Sequence, residues 1–271
     1  EVFDDGLTLL GIQKIKQVSR GYVSYLRGEN PVSFPVRLYP RDRQITEPGS
    51  SVSVDIYGKP IPQSMRLSFL SLYSSDLKGF QKQVYERMFQ SFKNQADSPG
   101  EQGNLQIQDE NLALQVGNIV YPTLDDAVDI KSLYGSGGLE RCFKVSKGIY
   151  EYKEETPEFL DEDVIGKYSA KIETILRCIR ESDGIVFIYT NWIASGVVPM
   201  VLALEQNGYE KYDGTSLLKG SHKREPISID GVYQSSASGA SGEFTPAKYM
   251  VISGKDGFGG DLESELRVVA S

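Results

Sequence analysis

Between Tyr168 and Tyr209 the spacing of apolar residues changes period twice. Ile172, Ile175, Leu176 and Ile179 recur at i, i+3, i+4 and i+7, one face of an amphipathic helix. Ser169 stands where an N-cap belongs, and Asp183-Gly184 where the helix should stop. Ile185–Tyr189 is then an unbroken apolar run of β-branched and aromatic residues. It predicts a strand buried on both faces, as in a parallel sheet. A second helix follows, capped near Ser195, with Pro199 in its first turn and Asn207-Gly208 as a left-handed close. Ligands of open α/β sheets bind at the carboxyl ends of strands, so Thr190–Ser195 is the first candidate site.

The rest of the chain gives weaker signals. Leu9, Ile12, Ile15, Tyr22 and Leu26 predict a helix over 7–27, ended by Gly28–Pro31. Pro31, Pro35 and Pro40 force an extended path. Ser64–Tyr73 alternates like a strand. Leu77, Phe80, Val84 and Met88 form the buried face of a helix capped by Ser74 or Ser75. Asn94–Asn104 reads as a loop and Leu112–Tyr121 as a helix running into Pro122. Tyr134–Gly138 reads as a turn; it lacks the Lys-Ser/Thr of a phosphate-binding loop. Residues 213–247 form an insertion whose Ser235–Gly242 stretch is of low complexity. Lys248–Ser253 is the next predicted strand, with Gly254–Gly257 at its carboxyl end and a helix over Asp261–Val269. This alternation predicts an α/β fold, a parallel sheet with right-handed crossovers, left incomplete by too few strands.

Composition narrows the chemistry. The chain has 271 residues, 39% of them hydrophobic, as in an ordinary soluble globular protein. No apolar run approaches the ~18 residues of a membrane span. Two cysteines, Cys142 and Cys178, give no disulfide framework and point to a reducing compartment. A single histidine, His222, argues against histidine-dependent triads and structural zinc. The net charge of −8 argues against a wholly basic surface. It is uneven: Leu9–Arg43 holds seven basic residues against two acidic, and Glu151–Asp163 seven acidic against one basic. Each run reads either as a solvated face or, more sharply, as a phosphate-facing strip and an acidic linker between subdomains. Arg20, Arg27, Arg37, Arg41 and Arg43 could hold phosphates or carboxylates bidentately, or pair with acids of this same chain. There is no GxxxxGK(S/T), GxSxG or HExxH motif, and no DExx run on a predicted strand. The two strand ends, Thr190/Asn191 and Ser253/Gly254/Lys255, suit backbone N–H and hydroxyl contacts to phosphate; ordinary strand–helix connections would look the same.

The blocks SAKIETILRCIRESDGIVFIYTNW and KYMVISGKDG, in this order, resemble the second RecA-like lobe of superfamily 2 helicases, Snf2-like forms especially. MRLSFLSLYSSDLKGFQKQVY is similar to the entry into that lobe, with Gln81 or Gln83 and Tyr85 on its helix. RGYVSYLRGENPVSFPVRLYP and GIVFIYTNWIASGVVPMVLALEQNGY look like blocks of helicases of nucleocytoplasmic large DNA viruses, those similar to the poxvirus early transcription factor small subunit. The likeness covers about 80 residues.

The resemblance implies residues 1–60 as the end of lobe 1 and an interlobe segment, and 61–271 as a partial RecA-like C-terminal lobe. It implies an ATP- and Mg2+-dependent helicase or translocase of viral transcription, in the virion or host cytoplasm, with no membrane association. DNA or RNA phosphates would meet Thr190, Asn191, Ser253, Gly254 and Lys255. Walker A, the DExx box and the motif VI arginine are absent, so the chain reads as an internal fragment without ATP hydrolysis of its own. A non-catalytic nucleic-acid-binding or scaffold subunit with a degenerate lobe is the alternative, and a small-molecule α/β enzyme a third.

Overall fold

A computed structural model of the chain describes residues 59–65, 74–96, 102–125, 128–182, 184–236 and 244–252. The chain divides into two compact units, Glu1–Leu38 and Tyr39–Ser271, and every described residue lies in the second. The expected helix over 7–27, the strip carrying Arg20, Arg27, Arg37, Arg41 and Arg43 and the helix over Asp261–Val269 lie outside the described residues. Of the strand expected over Ser64–Tyr73, Ser64 and Met65 instead belong to a short 3-10 turn, Gln63–Met65, and the remainder lies outside the described residues.

The described part is mixed α/β. Its helices are α1 (Gly79–Ala96), α2 (Gln102–Asn118), α3 (Gly135–Cys142), α4 (Ala170–Arg180) and α5 (Val198–Gln206). Strands β1 (Phe143–Ser146) and β2 (Ile149–Tyr152) form an antiparallel hairpin, Phe143 facing Tyr152 and Ser146 facing Ile149. Its two-residue turn, Lys147-Gly148, has positive φ at both positions (52° and 78°), as the twist of a tight hairpin requires. Strands β3 (Glu210–Lys211) and β4 (Lys248–Tyr249) pair in parallel.

Local sequence explains several of these elements. At the start of α4 the Ser169 hydroxyl accepts the Ile172 N–H at 3.0 Å, the expected cap, and donates to the Asn118 carbonyl at 2.6 Å. Ile172 and Leu176 are buried, with Ile175 and Ile179 packed beside them. The helix ends at Arg180, ahead of Asp183-Gly184, and the Ser182 N–H tightens its last turn with a bond to the Ile179 carbonyl at 3.2 Å. All nine residues of α5 are buried. It carries Pro199 in its first turn and ends at Asn207, followed by Gly208 at φ +91°.

Other expectations fail for tertiary reasons. Tyr134–Gly138 is not a free turn but opens α3. Glycine-rich segments are poor helix formers; here packing overrides propensity. The Gly135 N–H donates to the Ser195 hydroxyl at 2.8 Å, and a β-carbon on Gly138 would sit 2.9 Å from Cγ of Tyr121. Ser195 is thus not the N-cap of α5; it lies buried and ties that region to α3. Helix α2 starts within the expected Asn94–Asn104 loop and ends at Asn118, short of Tyr121. Ile119, Val120 and Tyr121 then lie fully buried outside the helix, ahead of Pro122.

The largest correction concerns Ile185–Tyr189. Among the described residues this run belongs to no sheet, and no backbone hydrogen bond joins it to another strand. The sheet expected to place it beside Tyr249–Ser253 is not formed there; β4 pairs with β3 instead. Ile185, Phe187 and Tyr189 are 70%, 74% and 77% exposed, while Val186 is 40% exposed and Ile188 packs on the core. This alternation has the period of two expected of extended chain.

The core has two parts. Val84, Met88 and Phe92 of α1 pack with Ala113 and Val116 of α2, Val120 and Leu133. A larger cluster centres on Tyr121, Phe143, Tyr152, Phe159, Leu202 and Ile227. Gln81 joins three helices. Its buried amide donates to the Val116 carbonyl at 2.9 Å and accepts the Ala170 N–H at 2.9 Å. Gln81→Leu keeps the volume but strands both backbone groups. It is expected to lower unfolding free energy by about 1–3 kcal/mol, read from the urea midpoint at unchanged m-value.

Candidate nucleic-acid interface

The candidate site is the corner where Ile185–Tyr189 turns into α5. Thr190 is half-buried and Asn191 exposed. The Thr190 hydroxyl accepts the Trp192 N–H at 3.4 Å, and the Tyr189 hydroxyl donates to Asn191 Oδ1 at 2.6 Å. Ile193–Val197 form a single π-helical turn, with the Val197 N–H reaching the Trp192 carbonyl. This wider turn runs straight into α5, so the segment from 193 to 206 is one helical stack opening at Trp192. Gly196 lies so close to Thr190 that a β-carbon there would collide with the Thr190 side chain.

The corner is anchored from behind. Ser195 is held by Gly135 and by Gln115 Oε1 at 3.1 Å, and the Tyr121 hydroxyl donates to the Ala194 carbonyl. The corner therefore has a rigid inner side and an outer side formed by Thr190, Asn191 and three exposed apolar side chains.

Of the expected phosphate contacts, the structure places Thr190 and Asn191 side by side. Ser253, Gly254 and Lys255 lie outside the described residues. The corner supplies no charge of its own: no acidic or basic residue occurs from Gly184 to Leu204. Its polar groups are the Thr190 and Tyr189 hydroxyls, the Asn191 amide and the N–H groups that a helix start leaves without backbone partners. They can hydrogen-bond an anionic oxygen but cannot neutralise it.

The cations nearest in kind to phosphate ligands are committed elsewhere. Every basic side chain of the loop Lys219–Arg224 meets a carboxylate. Lys219 pairs with Glu151, His222 Nδ1 with Glu158 at 2.7 Å, and Lys223 with Glu205 at 2.8 Å. Arg224 binds Asp161 through two contacts at 2.7 and 2.8 Å and also reaches Glu162 and Asp163; Arg180 adds a second partner for Glu162. Burial opposes the charge on Arg224, but the carboxylates and the Tyr233 hydroxyl outweigh it and push its pKa above the ordinary arginine value. The acidic run is thus a clasp for this loop rather than a linker between subdomains.

Burial pushes the Cys142 thiol up to about 12, far from a reactive thiolate. Among the described residues no group of three or more His, Cys, Asp or Glu is placed to hold a metal ion. Among the described residues no helix is long and apolar enough to cross a membrane.

Sequence reasoning missed three features of the corner: the exposure of Phe187 and Tyr189, the contact of Gly196 on Thr190, and the inward role of Ser195. Only Gly196 left a trace, as a glycine inside a helical pattern. The chain matches no protein-family model, no curated protein and no solved structure.

Proposed function

We propose that the chain is part of an ATP-dependent nucleic-acid helicase or translocase of viral transcription. Its α/β lobe, read as an incomplete RecA-like lobe, grips strand phosphates at the Thr190–Asn191 corner. The observation that carries this reading is the corner itself. An extended apolar run ends in a hydroxyl and an amide directly before the open start of a helical stack. Helix starts favour anions through free N–H groups and the helix dipole. The order α4, apolar run, α5, β3 and a parallel β4 supports the same reading, as does the resemblance of the blocks around it. In this reading Ser253, Gly254 and Lys255 complete the grip and Lys255 supplies the charge. ATP and Mg2+ are bound by helicase motifs that this chain does not carry.

The test is binding of labelled DNA and RNA strands followed across salt. Affinity should fall linearly on a log–log plot, the mark of phosphate contacts. Thr190→Ala and Asn191→Ala should each weaken binding about 3–10-fold for every sequence, at an unchanged salt slope, because neither removes a charge. Lys255→Ala should reduce that slope by about one. Absence of salt-sensitive binding to any strand would sink the proposal.

One observation favours a second reading, a non-catalytic nucleic-acid-binding or scaffold subunit. The outward Ile185, Phe187 and Tyr189 suit a protein contact better than a phosphate. Strand binding that persists with no ATP-driven strand displacement in the native protein would select this alternative.

A further inference from the structure

Gly196 stands inside the helical stack that opens at Trp192, where alanine is ordinarily the more stable choice. Its backbone lies outside the left-handed region that favours glycine. What excludes a side chain there is Thr190. A β-carbon at 196 would overlap the Thr190 hydroxyl and stand 3.0 Å from Cγ2 and 3.1 Å from Cβ of the same residue. We propose, on the helicase reading of this corner, that Gly196 is a positioning residue for the strand grip. Having no side chain, it leaves Thr190 the space in which its hydroxyl faces the start of the stack.

Two contacts define what is positioned. Thr190 Oγ1 accepts the Trp192 N–H at 3.4 Å. That commits a lone pair and leaves the hydroxyl proton to donate, as an anionic oxygen requires. Oγ1 is also the Thr190 atom nearest to the missing β-carbon. A methyl group at 196 therefore displaces the oxygen itself, and with it the bond from Trp192. Thr190 is short and branched at Cβ, so it yields by turning about χ1 or by moving its backbone. Either carries the hydroxyl away from the start of the stack. The other side of Gly196 is held. Its neighbour Ser195 is buried, accepts the Gly135 N–H at 2.8 Å and donates to Gln115 Oε1 at 3.1 Å. The Tyr121 hydroxyl holds the Ala194 carbonyl. The stack is thus tied to α2 and α3, and the adjustment falls on Thr190.

The experiment is a double-mutant cycle on the purified full chain, read by strand binding and by thermal melting. Gly196→Ala should weaken binding of labelled DNA and RNA strands about 3–10-fold, as Thr190→Ala does. The double variant should lose no more than either single one, because both act through the same hydroxyl. Gly196→Ala should also lower the melting temperature by about 2–6 °C. On the Thr190→Ala background the same substitution should recover most of that loss, since the atom it meets is gone. Three-bond couplings across Thr190 χ1, measured by nuclear magnetic resonance, should differ between wild type and Gly196→Ala at unchanged circular dichroism. Gly117→Ala is the control. Gly117 lies in α2 with nothing within 4 Å of its β-carbon position. Alanine there should raise the melting temperature and leave strand binding unchanged. Unchanged Thr190 couplings, or a thermal loss of the same size with and without the Thr190 side chain, would overturn the hold of Gly196 on Thr190. Full strand binding by Gly196→Ala, or losses that add in the double variant, would overturn its part in the grip. A wild type that binds no strand removes the helicase reading and the grip with it. The thermal cycle and the couplings need no nucleic acid, and they then decide the hold on Thr190 by themselves.

Discussion

Glu205→Gln is expected to lower the unfolding free energy by about 3–5 kcal/mol, measured as a reduced urea midpoint. The Glu205 side chain is completely buried on α5. Its carboxylate accepts from Lys223 Nζ at 2.8 Å, the Tyr249 hydroxyl at 2.6 Å, the Ser216 hydroxyl at 2.8 Å and the N–H groups of Leu217 and Leu218 at 2.9 and 2.8 Å. It thereby holds β4, the segment after β3 and the basic loop onto one helix. A glutamine of the same shape turns one acceptor oxygen into a donor NH2. That group faces N–H and ammonium donors, and Lys223 loses its counter-charge. The same substitution should remove part of the acid sensitivity. Burial by itself raises the Glu205 pKa, but the hydrogen bonds from Lys223, Tyr249, Leu217 and Leu218 prevail and hold it below the ordinary carboxylate value. The folded state therefore releases this proton more readily than the unfolded chain. The stabilisation is complete above the unfolded value of about 4.3 and is lost as pH falls through the lower folded value. Urea midpoints followed downward from neutral pH should decline less steeply in Glu205→Gln than in wild type.

Gly208→Ala is expected to destabilise by about 2–5 kcal/mol, the sum of left-handed backbone strain and a core collision. Gly208 closes α5 at φ +91°, a conformation that side chains resist. An added β-carbon would also run into the Glu225 carbonyl and sit 3.2 Å from the Ile227 nitrogen. Both obstacles are backbone, which cannot rotate aside. The collision would push away a segment held by Ile227 N–H to the Gly208 carbonyl at 3.0 Å and Arg224 N–H to the Gln206 carbonyl at 2.8 Å. Gly214 supplies the comparison. It has φ +73° with nothing near the β-carbon position. Gly214→Ala should therefore show the strain alone, about 1–2 kcal/mol. Equal losses at the two sites, read by thermal melting, would refute the role given to the Glu225 contact.

What was legible in the sequence was what depends on near neighbours. The Ser169 cap, the Ile172–Ile179 face and the Asn207-Gly208 close all act within a turn or two, and each is found where the residues indicate. Ile185–Tyr189 was misjudged because composition speaks only for an extended preference. Whether such a run is covered depends on what lies across from it, and among the described residues nothing does. Helix α3 was unreadable for the converse reason: Gly135 and Gly138 disfavour a helix locally, and Ser195 and Tyr121, distant in sequence, impose it. The acid–base clasp was equally hidden. Glu158–Asp163 and His222–Arg224 stand some sixty residues apart, and no periodicity relates them. Of the candidate site, the sequence legibly places Thr190 and Asn191 next to each other at the end of an extended run; their contact with phosphate belongs to the proposal.

Trp192, half-buried and immediately after Asn191, is the only tryptophan in the chain. The ultraviolet-excited indole emission of this protein therefore arises from a single address. Whatever settles on the Thr190–Asn191 corner, or closes over Phe187 and Tyr189, must change the polarity around that one fluorophore. The protein thus carries an unlabelled optical gauge beside the corner where the proposed strand contacts lie.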